Sequence, residues 1–248
     1  MNKKEREFIG DQKFLLNQKK GTLSKYKDLF PGKVSFYTFL KYELIMTLFS
    51  GIPGGIGLLL RKIFFPRLLK KTGKGVIFGR NMTIRHPRKI EIGNHVVFDD
   101  NTVIDAKGEE NEGIIIGNNV LVGRNTIVSC KGGTIKIGDY SNIGPNNTLI
   151  SETSLKIGQY VFTAGQSYLI AGGNHSFEKK DVPIWFQPSV SKGGINIEDD
   201  IWIGASSTIL DGVTIGKGSV IGASSLVLTS IPPYSVAAGS PARVIKKR

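Results

Sequence analysis

Cysteine is nearly absent: the 248-residue chain has one, Cys130 in VSCKGG, so no internal disulfide can staple it. A fold of this size must then rest on its buried core, and a lone thiol fits a reducing compartment. Histidine is also scarce, at positions 86, 95 and 175 only, which leaves little for metal chemistry. No uninterrupted apolar run reaches the roughly 20 residues that a membrane-spanning helix wants. Cys130 has no activating partner in sequence and reads as a filler of space, not a nucleophile. Glycine, by contrast, is plentiful at 31 residues, which implies many tight corners without a collagen-like period. With 40% hydrophobic residues the chain can build a sizeable core.

Acidic residues are scarce in the first third. Residues 1–80 carry 17 Lys or Arg against 5 Asp or Glu, whereas residues 81–248 carry 16 against 15, so almost all of the net charge of +13 sits at the front. That is not the spread of a nucleic-acid groove, and no stacking aromatics or known module accompany it. The opening MNKKEREFIGDQKF is charged and lacks the early apolar core of a secretory signal. Leu44 to Leu60, LIMTLFSGIPGGIGLLL, is then 17 residues without a charge, broken by Pro53 and four glycines. The break predicts two short helices, not one span. Flanked by Lys41, Arg61, Lys62, Arg67, Lys70 and Lys71, residues 34–74 could lie on an anionic membrane surface. The alternative is a helical cap packed against the main domain. Residues 1–75 are therefore set apart as a basic, partly apolar helical segment.

From about residue 76 the chain is periodic. Aliphatics recur every six residues at Ile197, Ile203, Ile209, Ile215, Ile221 and Val227. Upstream the same step comes in threes: Ile92, Phe98, Ile104; Ile116, Val122, Val128; Ile137, Ile143, Leu149; Ile157, Thr163, Leu169. Six is neither the helical period nor strand alternation. It suits a parallel β-helix in which each hexapeptide makes one short side and three sides make a coil. Stacked coils bury a continuous apolar column that no single coil could bury. The expected organisation is a β-helix over 76–232 with an inserted loop at 170–196, and a C-terminal extension at 233–248. That loop, around YLIAGGNHSFEKKDVPIWFQP, is rich in aromatics (Phe177, Trp185, Phe186), a poor composition for disorder. Such side chains expect a surface to pack on, and a neighbouring subunit is the natural one.

The hexapeptide pattern, GGNHSF, and the run INIEDDIWIGASSTILDGVTIGKGSVIGASSLVLTSIPPYSVAAGSPARVIKK resemble the hexapeptide-repeat acyltransferase family. This is the group of galactoside, maltose and xenobiotic acetyltransferases and of surface-polysaccharide O-acetyltransferases. The resemblance implies a mainly β, left-handed parallel β-helix, an acetyl-CoA donor without metal, and a homotrimer with active sites at subunit interfaces. It places His175 at the family's catalytic base, and a neutral imidazole suits that work near neutral pH. Acceptor binding would fall to Asn146, Glu152 and Trp202, the last of which could equally be a β-helix corner residue. Coenzyme A would lie along the small residues Ala205 and Ala223 and meet Arg243 and Lys246 with its phosphates. One departure stands out: relatives commonly carry Thr-Lys-Asp before the IPP, where this chain has Leu228-Thr229-Ser230.

His86 and His95 lie away from the matching motif and read as structural. A zinc enzyme on the same fold would need three converging imidazoles, and no two histidines here are five apart. A non-catalytic β-helix scaffold would keep the repeats but has no need of the GGNHSF loop. The expected function is acetyl transfer from acetyl-CoA to a sugar hydroxyl of a surface glycan or its lipid-linked precursor. The setting would be the cytoplasm or the inner face of the cell membrane. A small soluble acceptor, taken by O- or N-acetylation, is the alternative.

Overall fold

The computed structural model describes residues 21–248, so the charged opening stretch lies outside the described residues. The six-residue rhythm becomes three sheets of seven, nine and seven strands, parallel except for the last strand of the second, which wrap one prism. A coil contributes one strand to each sheet, beginning with Lys71–Thr72, Ile77–Phe78 and Thr83–Arg85. Seven coils stack in register. On the first face Ile92, Ile116, Ile137, Ile157, Ile197 and Ile215 form one vertical row. On the second face Phe78, Phe98, Val122, Ile143, Thr163, Ile203, Ile221 and Ala237 form another. Ile84, Ile104, Val128, Leu149, Leu169, Ile209 and Val227 form the third. All of these side chains are buried. The architecture is the mainly β parallel solenoid expected, in keeping with a left-handed β-helix.

The corners explain the asparagines and glycines. Between the second and third faces Asn81, Asn101, Asn125 and Asn146 all take left-handed backbone angles, with φ from 57° to 59°. Asparagine tolerates that region better than most residues. Its amides also stack from coil to coil: Asn101 donates to Asn125 at 3.2 Å and Asn125 to Asn146 at 3.0 Å. After the first face, glycine is required by closeness. A Cβ on Gly93 would stand 2.5 Å from the carbonyl oxygen of Gly117 in the next coil.

Among the described residues three helices, α1 (Thr22–Leu29), α2 (Phe36–Phe49) and α3 (Gly54–Phe64), precede the first coil. Ser35 caps α2 by accepting the Thr38 N–H at 3.3 Å. The SGIPGG break separates α2 from α3, with Pro53 at the start of α3. One side of the pair closes the open end of the column. The Tyr42 hydroxyl donates to the Ile84 carbonyl at 2.8 Å, and Phe65 meets Phe78 edge-on at 5.5 Å. Arg61 is buried and donates to the carbonyls of Phe78 (2.9 Å) and Ile52 (2.7 Å). His86 ties in the last turn of α1: its Nδ1 lies 3.0 Å from Asp105 Oδ1 and its Nε2 3.0 Å from the Asp28 carbonyl.

At the far end, Ser235–Gly239 continues the second face and Ala242–Lys247 folds back antiparallel to it. The long loop leaves after Ala171 and the solenoid resumes at Ile195. Because Leu149 sits mid-column with coils on both sides, Leu149→Ala should cost about 2–5 kcal/mol of stability by chemical denaturation. A loss within experimental error would mean that the column tolerates voids.

Candidate active site

The loop is anchored at both ends, and the anchors determine where His175 stands. Gly172 and Gly173 make the exit, both with positive φ (109° and 75°). A Cβ on Gly172 would come within 2.7 Å of the Glu152 Cβ, so no larger residue fits over that carboxylate side chain. Glu152 in turn accepts the Gly173 N–H at 2.9 Å. The next two residues, Asn174 and His175, pair antiparallel with Val190 and Ser189. Asn174 also donates to Asp211 Oδ2 at 3.2 Å. Asp211 is buried, and it receives the N–H groups of Lys192 (2.5 Å) and Gly194 (2.8 Å) as well. One carboxylate therefore clamps the outgoing and the returning chain of the loop.

Within the loop Gln187 is buried and acts as an internal staple. Its Nε2 donates to the carbonyls of Lys179 and Val182, both at 2.9 Å, and its Oε1 accepts the Lys179 N–H at 3.3 Å. The polar staple leaves the apolar side chains outside: Phe177, Ile184 and Trp185 are exposed. His175 is exposed too, and no hydrogen bond to its ring is found among the described residues. Its backbone is fixed while its imidazole remains available.

The other predicted residues fall on different parts of the prism. Glu152 shares the edge of His175, between the third and first faces. Asn146, Ala205 and Ala223 lie on the neighbouring edge, between the second and third faces. Asn146 already accepts from Asn125 in the corner ladder. Ala205 and Ala223 are one coil apart, linked by the Ser224 N–H to the Ala205 carbonyl at 2.8 Å. With Gly165 before them and Gly239 after, they keep that edge free of bulk. Trp202 points outward from the second face, 53% exposed, between Phe162 and Val220. Arg243 stands opposite Ala238, beside the small-residue edge, and Lys246 opposite Val236, nearer the far side of the same face. Both are exposed. The structure thus joins Glu152 with His175, and Ala205 with Ala223 and Arg243. In one chain the two groups are separated by the width of the third face, about 15 Å at about 3.3 Å per residue.

Sequence reasoning did not find Asn174, Asp211 or Gln187. Asp211 stands in LDGVTIG at the corner beneath the loop's exit, which is the only sequence signal it offers. The three histidines are not brought together, and among the described residues no group of three His, Cys, Asp or Glu side chains could hold a metal ion. His95 is a corner residue with φ of 55°. Cys130 is buried with its Sγ 3.5 Å from the Gly113 carbonyl, and burial pushes its thiol up to about 12.

A parallel β-solenoid with one anchored loop carrying an exposed histidine is the class these features define. The family model described as bacterial transferase hexapeptide (six repeats) matches residues 194–229. A probable acetyltransferase of Mycobacterium tuberculosis is 35% identical over 116 residues, which cover 47% of this chain and 38% of that protein. A probable macrolide acetyltransferase of Lysinibacillus sphaericus is 35% identical over 124 residues, which cover 44% of this chain and 68% of that protein. The chain belongs to the hexapeptide-repeat acyltransferase family. Among solved structures, the polysialic-acid-specific acetyltransferase NeuO shares the fold at a TM-score of 0.59 and 24% identity, with 71% of this chain and 74% of that chain covered. The chain spans about a quarter to a half of the length of the first curated relatives it matches.

Removing the Asp211 clamp should loosen the loop and leave the solenoid intact. Asp211→Ala is expected to speed amide exchange across 173–192 about a hundredfold, since several hydrogen bonds to a buried charge are lost. Unchanged exchange there would show that the loop is held by other contacts.

Proposed function

We propose that the protein is an acyl-CoA-dependent acyltransferase that moves acetyl from acetyl-CoA to a hydroxyl of a sugar, in a surface glycan or its lipid-linked precursor. The observation that carries this reading is the anchored backbone and available ring of His175. The imidazole takes the proton of the acceptor hydroxyl as its oxygen attacks the thioester carbonyl. Collapse of the tetrahedral intermediate expels the coenzyme A sulfur, and the imidazolium returns the proton to it. No covalent acyl-enzyme is needed, and the buried thiol of Cys130 takes no part.

The bare edge at Ala205 and Ala223 suits an extended pantetheine arm, and Arg243 with Lys246 suits its phosphates. The Leu228-Thr229-Ser230 segment supplies no further cation. The separation of that edge from His175 within one chain supports a homotrimer, in which the histidine of one subunit meets the donor edge of another. The exposed Phe177, Ile184 and Trp185 would then be covered by the neighbouring subunit. Asn146 and Trp202 are the acceptor contacts in this reading. Glu152 joins them from the brace beneath the loop. The donor places the reaction in the cytoplasm. The macrolide acetyltransferase among the relatives favours a second reading, a small soluble acceptor modified on oxygen or nitrogen.

Thiol release from acetyl-CoA, measured with sugars, glycan fragments and small hydroxylated acceptors, separates the two. His175→Ala should lower kcat by about 10²- to 10⁴-fold and leave the KM for acetyl-CoA near its original value. Near-original turnover would remove His175 from the mechanism. Arg243→Ala should instead raise the KM for acetyl-CoA about tenfold with little change in kcat. An unchanged KM would place the phosphates elsewhere.

A further inference from the structure

The helical cap is built inside out. On α3 the arginine points inward: Arg61 is 3% exposed and spends its donors on the carbonyls of Phe78 and Ile52. The apolar side chains of the same helix point outward, with Ile56, Leu59 and Ile63 spaced by three and four residues along one face. Ile56 is 73% exposed. The neighbouring helix is apolar on both sides. Tyr37, Leu40, Leu44 and Leu48 form an outward stripe on α2, while Phe39, Tyr42 and Ile45 face the solenoid. A helix in water normally shows the opposite arrangement. Two adjacent stripes turned outward make one apolar patch larger than scattered surface leucines would.

The charge around the patch has one sign. Residues 34–74 hold seven Lys or Arg and one acid, Glu43. Glu43 is engaged by the Tyr26 hydroxyl at 2.9 Å. Lys62, Arg67 and Lys71 are exposed beside or just beyond α3. No helix among the described residues is long and apolar enough to cross a membrane. The helices are short and joined at Pro53, so they can lie flat.

We infer that the outward faces of α2 and α3 dock on a lipid bilayer rich in anionic headgroups, as a helical hairpin lying in the interface. The leucines and isoleucines enter the acyl boundary, and the flanking cations meet lipid phosphates. Apolar burial and basic flanks together select this occupant over a protein groove, which would need acidic complement to Lys62 and Arg67. The buried faces of the same helices close the first coil, so docking does not require the cap to open. Four coils, at about 4.8 Å each, separate the cap from the coil that carries His175, so the reacting atoms stand about 20 Å from the cap along the solenoid.

The test is co-sedimentation of the full-length protein with vesicles of phosphatidylcholine mixed with phosphatidylglycerol, and with phosphatidylcholine alone. Wild-type protein should pellet with the anionic vesicles, less with the neutral ones, and not in their absence. The double variants Leu44→Ser/Leu48→Ser and Leu59→Ser/Ile63→Ser should each partition about tenfold more weakly, because they remove apolar side chains already outside the core. Lys62→Glu and added salt should weaken binding to anionic vesicles only. Circular dichroism melts of the variants should match wild type, since none of these side chains is buried. Three outcomes would overturn the inference: no pelleting with anionic vesicles, variants that bind like wild type, or pelleting without vesicles that the leucine variants abolish. The last would make the patch an interface between copies of this chain. Thiol release from acetyl-CoA with a soluble acceptor is measured on the same samples, so loss of docking and loss of catalysis are read separately.

Discussion

Coils of a solenoid stack only if the inward position of each lies over the inward position of the next. That register constraint governs everything else in the molecule. It explains why an aliphatic returns every six residues, why asparagine takes the left-handed corners, and why Gly93 cannot carry a Cβ under Gly117. It also decides where chemistry can be placed. An insertion within a side would shift every later row, whereas an insertion at a corner leaves the rows intact. The 172–194 loop leaves and returns at a corner, and Leu155, Lys156 and Ile157 still pair with Ile195, Asn196 and Ile197.

The loop then inherits its precision from the solenoid. Glu152 and Asp211 belong to the coils on either side of the exit, and their carboxylates hold the Gly173 and Gly194 backbones. Both acids stand at the corner where the coils before and after the insertion would otherwise part. His175 is therefore fixed by carboxylates that belong to the coils before and after its own. The cap at the other end solves a different problem. An open first coil would expose Phe78 and Ile84 to water, and Tyr42, Arg61 and Phe65 close it.

Much of this was legible in the residues. The six-step aliphatics from Ile92 to Val227 predicted the three rows and their burial, because a repeat that stacks on itself leaves its period in the sequence. The break at SGIPGG predicted two helices, because proline and glycine act locally. The anchors of the loop were not legible. Asp211 meets Asn174 and Lys192 only because the corner of one coil underlies the exit of another, and that adjacency has no local signature. Gln187 gave no sign of burial, since its partners are backbone carbonyls a few residues away. The inverted α3 was hidden for a similar reason: Arg61 reads as one of a basic cluster until its carbonyl partners are seen. The ladder that engages the Asn146 side-chain oxygen was hidden in the same way, since its partner Asn125 lies one coil away.

In the proposed acyl-transfer site two edges of the prism, one holding His175 and the other Ala205 and Ala223, meet across a subunit boundary. A structure of the protein with coenzyme A bound tests it most directly. The pantetheine arm is expected along the Ala205–Ala223 edge of one subunit, with its sulfur within hydrogen-bonding reach of the partner subunit's His175. Coenzyme A seated away from that edge, or with its sulfur remote from any His175, would contradict it.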